Sequence, residues 1–274
     1  MAAITILFEN HAGWRKGLIG YHAFCLIEHN GQRVLVDAGT DGRVLLNNMD
    51  QLGVDPDSID ALFITHGHYD HTGGGMAELL KARSEPLDVY AHPGIFARRI
   101  ALKPRRREIG IPFRKEELES LGGAVFHLSE KPFEFLPGFI SSGGEIERRT
   151  WDRAVGYLVE DGKEVKDPVK DDIALILDLG DSLAVITGCG HSGILNIARH
   201  AIEITGKPIK ALIGGFHLRG GAPEHLLKDA VDGLKELGVE CLYAGHCTGI
   251  YEYAYLKGHF ELAEPLFVGK EIKV

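Results

Sequence analysis

The segment from Thr65 to Gly74 places three histidines and one aspartate within six residues: His66, His68, Asp70 and His71. Imidazole and carboxylate groups bind transition metals, and zinc sites combine them in sets of about four ligands. If the chain stays extended through His66 and His68, both side chains leave on one face and can bind one ion. Asp70 and His71 can then serve a second ion. The segment predicts a site for two divalent ions, with zinc favoured and iron or manganese as alternatives.

The elements around this segment have the order that a metal-binding loop requires. A buried strand is predicted directly before it, and Thr72 to Gly75 allow a tight turn before a helix at 75–83. Strands are predicted at 4–8, 23–28, 34–37, 61–65, 125–128, 155–160, 173–178, 183–187, 210–213 and 240–243, and further helices at 40–52, 93–102, 114–121, 192–205 and 223–237. This interleaving of strands and helices predicts a layered α/β protein.

The pattern His-x-His-x-Asp-His followed by Thr-Gly-Gly resembles the signature of the metallo-β-lactamase superfamily. Segments along nearly the whole chain resemble the branch named for the archaeal 7,8-dihydropterin-6-methyl-4-(β-D-ribofuranosyl)aminobenzene 5′-phosphate synthase. They include VLVDAGT, THGHYDHTGG, SSGGEIERRT, VITGCGHSGI and YAGHCTG. The resemblance implies a four-layer αββα sandwich, with the metals at the strand ends along one edge.

A single domain is expected for residues 1–274. No Pro/Ser linker or low-complexity stretch divides the chain, and the candidate metal ligands extend from His66 to His246. Both halves must therefore meet at one site. The region around 93–122 is expected to form a cap or insert next to this site.

Composition restricts the partners and the compartment. The formal net charge of −9 argues against nucleic acid or an anionic membrane as a partner. No apolar stretch of about 20 residues predicts a membrane span. The four cysteines show no CxxC spacing and suit a reducing compartment. We predict a cytoplasmic protein with a small-molecule substrate, and homo-oligomerisation stays open.

Later strand ends supply candidates for the remaining ligands. His246 follows the predicted strand at 240–243 and matches the last histidine of the family, a ligand of the second ion. In many family members a strand ending in Thr-Gly precedes an aspartate that bridges both ions. Cys189 occupies this position here, and His191 lies two residues beyond it. His191 is the favoured ligand, with the Cys189 thiolate as the alternative.

The third ligand of the first ion departs from the family pattern. Many members carry a Gly-His segment where this chain has Lys170-Asp171-Asp172-Ile173. A carboxylate can replace the imidazole, so Asp172 is a candidate ligand, with Asp171 less favoured. A solvated acidic turn is the alternative interpretation.

Several further residues are candidates for substrate binding. His217 ends a predicted strand and could contact substrate or hydrogen-bond a metal ligand. Asn10, His22 and His92 lie in segments that match the branch, and structural roles are their alternatives. The basic run comprises Arg98, Arg99, Lys103, Arg105, Arg106 and Arg107. In an acidic chain this run could bind a phosphate as part of the cap, and a solvated face is the alternative.

Two bound ions would organise water chemistry. A metal lowers the pKa of its bound water towards about 7, and a second ion polarises the electrophile. Asp70 is the catalytic candidate, because it could bind metal and orient the hydroxide. The chain is therefore predicted to be a dinuclear hydrolase of a small, phosphate-bearing substrate that uses a metal-bound hydroxide. The branch resemblance implies an alternative, a transferase that condenses a pterin pyrophosphate with an aryl ribose phosphate. A non-catalytic, metal-dependent ligand-binding protein is a second alternative.

Overall fold

The structure is a computed structural model that describes residues 1–13, 15–22, 24–150, 155–220 and 222–274. Its strands are β1 (Ala3–Phe8), β2 (Phe24–His29), β3 (Gln32–Val36), β4 (Ala61–Phe63), β5 (Leu87–Ala91), β6 (Arg99–Ala101), β7 (Arg107–Glu108), β8 (Ala124–Leu128), β9 (Phe133–Leu136), β10 (Phe139–Ser141), β11 (Tyr157–Glu160), β12 (Lys163–Lys166), β13 (Ala174–Asp178), β14 (Leu183–Thr187), β15 (Ile209–Gly215), β16 (Cys241–Gly245), β17 (Leu262–Pro265) and β18 (Glu271–Lys273). Its helices are α1 (Gly42–Leu52), α2 (Tyr69–Thr72), α3 (Gly74–Ala82), α4 (Lys115–Gly122), α5 (Ile194–Thr205), α6 (Glu224–Glu236) and α7 (Ile250–His259), with 3-10 helices at Pro56–Ser58, Pro93–Phe96 and His246–Thr248.

The first sheet has the strand order β18-β1-β2-β3-β4-β5-β8. The strands from β18 to β3 pair antiparallel, and those from β3 to β8 pair parallel. The β2–β3 hairpin turns through Asn30 and Gly31 with φ values of 51° and 79°, the left-handed conformation that two-residue hairpin turns favour. Helices α1, α3 and α4 lie in the connections between the parallel strands.

The second sheet has the order β17-β16-β15-β14-β13-β10-β9. Strands β14 to β17 pair parallel, whereas β9, β10, β13 and β14 pair antiparallel. Every residue of β14 is buried. This burial accounts for its continuous apolar sequence LAVIT, because a central strand with both faces covered does not alternate apolar with polar residues. Helices α5, α6 and α7 connect the parallel strands.

The two sheets pack face to face and carry helices on their outer faces. The core between the sheets includes Ile4, Val34 and Phe63 from the first sheet and Leu175, Ile186 and Ile213 from the second. Helices α1 and α3 bury Leu45 and Leu79 against the first sheet, and α5 and α6 bury Leu195 and Leu234 against the second. This is the predicted four-layer αββα sandwich, so the fold class is confirmed. Within the described ranges, no helix combines the length and apolar character needed to cross a membrane.

A third sheet, with the order β12-β11-β6-β7, replaces the helix predicted at 93–102. That prediction is wrong because only Pro93–Phe96 forms a 3-10 helix, and β6 then pairs with β11 through Ile100 and Tyr157. Pairing with a distant strand outweighs the weak local helix propensity. The region 93–122, where a cap was expected, contains β6, β7 and α4. Segments 99–108 and 157–166 form the third sheet, and α4 packs beside α3 in the outer helix layer.

Candidate metal centre

The carboxyl ends of strands from both sheets converge at one edge of the sandwich, as parallel strands require. A Cβ atom at Gly188, after β14, would clash with the Thr65 hydroxyl after β4, so glycine permits the close approach of the two sheets here. The polar residues that follow these strand ends are Glu9, Asp37, His66, His68, Asp70, His71, Cys189, His191, His217, His246 and Cys247.

Three imidazoles face one another on one side of this edge. The ring centroids of His66 and His68 are 4.8 Å apart, and each lies 5.0 Å from that of His191. The Nε2 atoms of His66 and His68 are buried and have no hydrogen-bond partner among the described residues. Burial lowers the pKa of His66 well below its usual range and that of His68 to about 3, which keeps both rings neutral. Neutral, buried and unpartnered nitrogen atoms fit a metal ion, because the ion accepts their lone pairs in place of the missing hydrogen bonds.

A second group lies directly beside the first. His71 Nε2 is 3.2 Å from His246 Nε2, and Cys189 Sγ lies 3.3 Å from each of these atoms. Asp70 Oδ2 is 3.8 Å from His71 Nε2 and 3.7 Å from His246 Nε2. Two imidazoles, a thiol and a carboxylate converging on one point form a donor set that suits zinc.

Cys189 belongs to both groups. Its sulfur lies within 4.8 Å of ligand atoms of His66 and His191, and within the same distance of those of His71 and His246. Burial raises the pKa of the Cys189 thiol well above its usual range, so a nearby cation is required to hold it as a thiolate. The alternatives left open by the sequence, His191 and Cys189, are thus brought together in one cluster.

The model of the Metallo-beta-lactamase superfamily matches residues 20–246. The chain belongs to this superfamily. It is a metallo-β-lactamase-fold enzyme, either a metal-dependent hydrolase or a related pterin transferase, and the buried donor set agrees with the divalent metals that the superfamily typically binds.

Similar proteins cover nearly the whole chain. A 7,8-dihydropterin-6-methyl-4-(beta-D-ribofuranosyl)-aminobenzene-5'-phosphate synthase of Methanocaldococcus jannaschii is 34% identical, in an alignment that covers 98% of this chain and 96% of the relative. An uncharacterized protein of the same organism is 33% identical, with 90% of both chains covered. The crystal structure of Tm1679, a metal-dependent hydrolase of the beta-lactamase superfamily, superposes with a TM-score of 0.83 at 25% identity, covering 100% of this chain and 99% of that chain.

Asp37 orients one histidine of this metallo-β-lactamase-fold centre, and the sequence assigned it no role. Its carboxylate accepts hydrogen bonds from the Thr65 backbone N–H at 2.8 Å, from the Thr65 hydroxyl at 2.8 Å and from His71 Nδ1 at 2.7 Å. Burial opposes protonation of His71, but Asp37 and Asp70 raise its pKa to about 9. With Nδ1 bound to Asp37, Nε2 of His71 faces the centre. The sequence held one signal that could have identified Asp37: it is a polar residue directly after the buried strand β3, within VLVDAGT.

Glu9 and Asn10, directly after β1, hold the backbone of His246. Both Glu9 carboxylate oxygens accept from the His246 backbone N–H, at 3.0 and 2.9 Å, and Asn10 Nδ2 donates to the His246 carbonyl at 3.1 Å. His246 needs this support because its φ of 50° is strained for a residue with a side chain. Glu9 was not among the predicted site residues. Asn10 was expected in the substrate pocket, and the structure adds this contact to a candidate ligand.

The predicted ligand Asp172 lies elsewhere and requires a correction. Its Oδ2 accepts the Ser192 backbone N–H at 2.8 Å, so the carboxylate supports the loop that carries His191. Asp171 accepts the Gly67 N–H at 2.8 Å and forms an ion pair with Arg99. Neither aspartate belongs to a group of potential ligands among the described residues. The two carboxylates satisfy buried backbone and guanidinium groups, and His191 faces His66 and His68 instead.

A cavity of about 260 Å³ opens on the centre. Its lining includes Asn10, His22, Tyr69, Asp70, Arg107, His217, Arg219 and Cys247. The predicted pocket residues Asn10, His22 and His217 therefore border the site, and His22 Nδ1 lies 3.7 Å from Asp70 Oδ2. His92 lies outside this lining, where its Nδ1 accepts the Gly94 N–H at 2.9 Å.

The basic run divides into residues with different surroundings. Arg107 lines the cavity, whereas Arg106 forms an ion pair with Glu164 in the third sheet, and Arg105 is exposed outside the lining. Arg98 pairs with Glu108 at the surface. Arg99 is buried between Asp167 and Asp171. The basic run was expected to bind a phosphate as part of the cap. The structure brings Arg107 to the cavity, but not Arg105 or Arg106.

Proposed function

We propose that the chain is a dinuclear metal-dependent hydrolase of a small, phosphate-bearing substrate. The observation that carries this proposal is the pair of ligand groups that share Cys189 and open on one cavity. One ion would be held by His66, His68 and His191, and the other by His71 and His246, with Cys189 between them and Asp70 beside both. When bound, the two ions would supply water of lowered pKa and an electrophilic site for a phosphoryl oxygen.

Asp70 has the position and charge to orient the attacking water. Burial opposes its ionisation, but His71 and His246 outweigh this effect and hold the pKa of Asp70 at about 2. The carboxylate is therefore ionised at neutral pH and can accept a hydrogen bond from water. Its side chain keeps 19% exposure, which opens it to the cavity. His22 Nδ1 lies 3.7 Å from Asp70 Oδ2, close enough to contribute to the surroundings of the carboxylate.

The cavity offers cationic side chains to a phosphate. Arg107 and Arg219 both border it, in a chain whose formal net charge is −9. A guanidinium group grips phosphate oxygens through parallel charged hydrogen bonds, which gives orientation as well as affinity. Arg107 and Arg219 support a phosphate-bearing ligand more directly than Arg98, Arg99, Arg105 and Arg106, which are paired or exposed elsewhere.

Replacing Arg107 with glutamine is expected to weaken binding of a phosphorylated ligand by about 1.5 to 3 kcal/mol for each direct charged hydrogen bond lost. Calorimetric titration with phosphorylated and unphosphorylated forms of one ligand measures this difference. Arg105→Gln is the matched control, because Arg105 is exposed and does not line the cavity. Equal weakening by the two variants would contradict a specific phosphate contact at Arg107.

Metal content tests the dinuclear proposal directly. Protein purified without chelator is expected to contain close to two divalent transition ions per chain, because two ligand groups lie side by side. Elemental analysis before and after reconstitution measures the content. A value well below one ion that reconstitution does not raise would contradict the proposal.

The substrate class requires a turnover experiment. Metal-loaded protein is incubated with a panel of phosphomonoesters, phosphodiesters and pyrophosphates in ¹⁸O-labelled water, and the products are followed by mass spectrometry. A hydrolase is expected to place the label in a product without any added acceptor. Absence of metal-dependent turnover across the panel would count against hydrolysis of phosphate-bearing compounds.

A pterin transferase is the second candidate, and the 34% identity to the archaeal synthase over 98% of this chain favours it. Both activities release a phosphate or pyrophosphate as product, but they break different bonds. Hydrolysis breaks a P–O bond by attack of water, whereas transfer breaks the C–O bond of the pterin pyrophosphate and joins that carbon to the aryl acceptor. A transferase is expected to consume a pterin pyrophosphate only when an aryl ribose phosphate is present, and to incorporate no label. The same incubation with and without this acceptor distinguishes the two activities.

A further inference from the structure

A third group of potential metal ligands lies at the wall of the catalytic cavity. Ligand atoms of Cys189, His217 and Cys247 all lie within 4.8 Å of one another. The three residues also line the cavity that opens on the two-ion centre. Cys247 and His217 belong to neither of the ligand groups assigned to the two ions, so they form a donor pair that the proposed hydrolysis does not use.

Cys247 and His217 both follow the carboxyl ends of neighbouring parallel strands, β16 and β15. Cys247 directly follows His246 in the 3-10 helix His246–Thr248, and its thiol donates to the Cys189 carbonyl at 3.4 Å. His217 follows β15 with a φ of 48°, a strained conformation for a residue with a side chain. Its Nδ1 is buried without a hydrogen-bond partner among the described residues. A bound ligand would account for both the strained backbone and the unsatisfied buried nitrogen of His217.

Donor chemistry defines the class of ligand. Two sulfur atoms and one imidazole select thiophilic cations such as Zn²⁺ and Cd²⁺ over Mg²⁺ or Ca²⁺, which prefer oxygen. We propose that Cys189, His217 and Cys247 form an additional site for one thiophilic divalent cation, adjacent to the two-ion centre. Binding releases the Cys247 thiol proton to solvent. Cys189 is shared, as a thiolate that contacts the additional ion as well as the catalytic centre.

Cadmium provides a probe with its own signal. Protein saturated with zinc and freed of excess metal is titrated with Cd²⁺, and thiolate-to-cadmium absorption is followed in the ultraviolet. Total zinc and cadmium are then determined by elemental analysis after desalting. The variants are Cys247→Ala, Cys247→Ser and His217→Ala. Cys241→Ala is the matched control, because Cys241 is a half-buried free cysteine at the start of β16, the strand that precedes the 3-10 helix carrying Cys247.

Wild type and Cys241→Ala are expected to bind about one Cd²⁺ per chain with new thiolate absorption, and to hold about one more ion per chain, zinc and cadmium together, than the Cys247 and His217 variants. These variants are expected to lack the extra ion and its absorption and to keep the metal of the two-ion centre. Circular dichroism verifies that each variant is folded, and Cys247→Ser keeps the side-chain volume. An additional ion that persists in the Cys247 variants would overturn the proposal, as would a total metal content in wild type no higher than in those variants. The result is a difference between variants, so it does not depend on how many zinc ions the catalytic centre holds.

Discussion

Replacing His68 with alanine is expected to lower turnover by about 10²- to 10³-fold and to remove about one bound ion per chain, while the fold survives. The loss is large because a principal electrostatic group of the site disappears, and removing one such group typically costs about 10²- to 10³-fold. The fold survives because His68 Nε2 makes no hydrogen bond among the described residues and the preceding strand is held by buried Phe63 and Ile64. Asp70→Ala is expected to lower turnover similarly. Turnover, elemental analysis and circular dichroism measure the three effects.

His127→Ala is the control for the histidine variants. His127 lies on β8 as an exposed side chain paired with Asp88, away from the strand ends that carry the centre. It should retain both turnover and metal. If a His68→Ala protein that has lost its ions kept wild-type turnover, the reaction would have to take place at a site other than this centre.

Replacing Arg99 with alanine is expected to lower the free energy of unfolding by about 3 to 5 kcal/mol, the range measured when one partner of a buried ion pair is removed. The Arg99 side chain is only 3% exposed and donates to the carboxylates of Asp167 and Asp171. Its removal leaves two buried carboxylates without a compensating charge. Asp171 also accepts the Gly67 N–H, so the same change loosens the loop between His66 and His68.

Denaturant unfolding of wild type and Arg99→Ala measures this effect. Arg98→Ala is the neighbouring control, because Arg98 forms an exposed ion pair with Glu108 that solvent screens, and it should leave the unfolding midpoint nearly unchanged. If Arg99→Ala unfolded at the wild-type midpoint, the buried ion cluster would have no net role in stability.

The metal loop was the most predictable part of the site. Four of its potential ligands lie in a six-residue stretch, and the strand before it and the helix after it follow from apolar periodicity alone. Strand β14 at 183–187 also has the predicted bounds, because its uninterrupted apolar sequence reflects burial on both faces. The order of the four layers, αββα, was predictable only through the family resemblance. Periodicity identifies strands and helices, but it does not specify which strands pair into a sheet.

The roles that sequence reasoning missed depend on contacts between residues far apart in the chain. Asp37 contacts His71 34 residues away, and Glu9 contacts His246 237 residues away. An isolated buried carboxylate has no local signature of such a partner. The same limit applies to Arg99, which belonged to an apparent surface run of basic residues and is buried by carboxylates from a distant segment.

The family pattern predicted ligands at the positions where this chain matches it, and it suggested an unsuitable substitute at the position where this chain departs from it. The missing Gly-His segment suggested Asp172 as a substitute ligand, but the ring that faces His66 and His68 belongs to His191. Predicting this exchange requires the relative placement of β4 and β14, which lie in different sheets. Strand β5 and helix α7 were also missed, as were the short strands β6, β7, β9, β10, β12, β17 and β18, because brief or weakly amphipathic segments carry little periodic signal.

The convergence of strands from two sheets has a consequence for biosynthesis. The residues that surround the metals come from β1, β3 and β4 early in the chain and from β14, β15 and β16 near its end. A nascent chain still lacking β16 carries the His66-to-His71 loop but neither His246 nor Cys247. With the proposed two ions, stable loading would follow translation of nearly the whole chain, and the bound metals would then also hold the two sheets together.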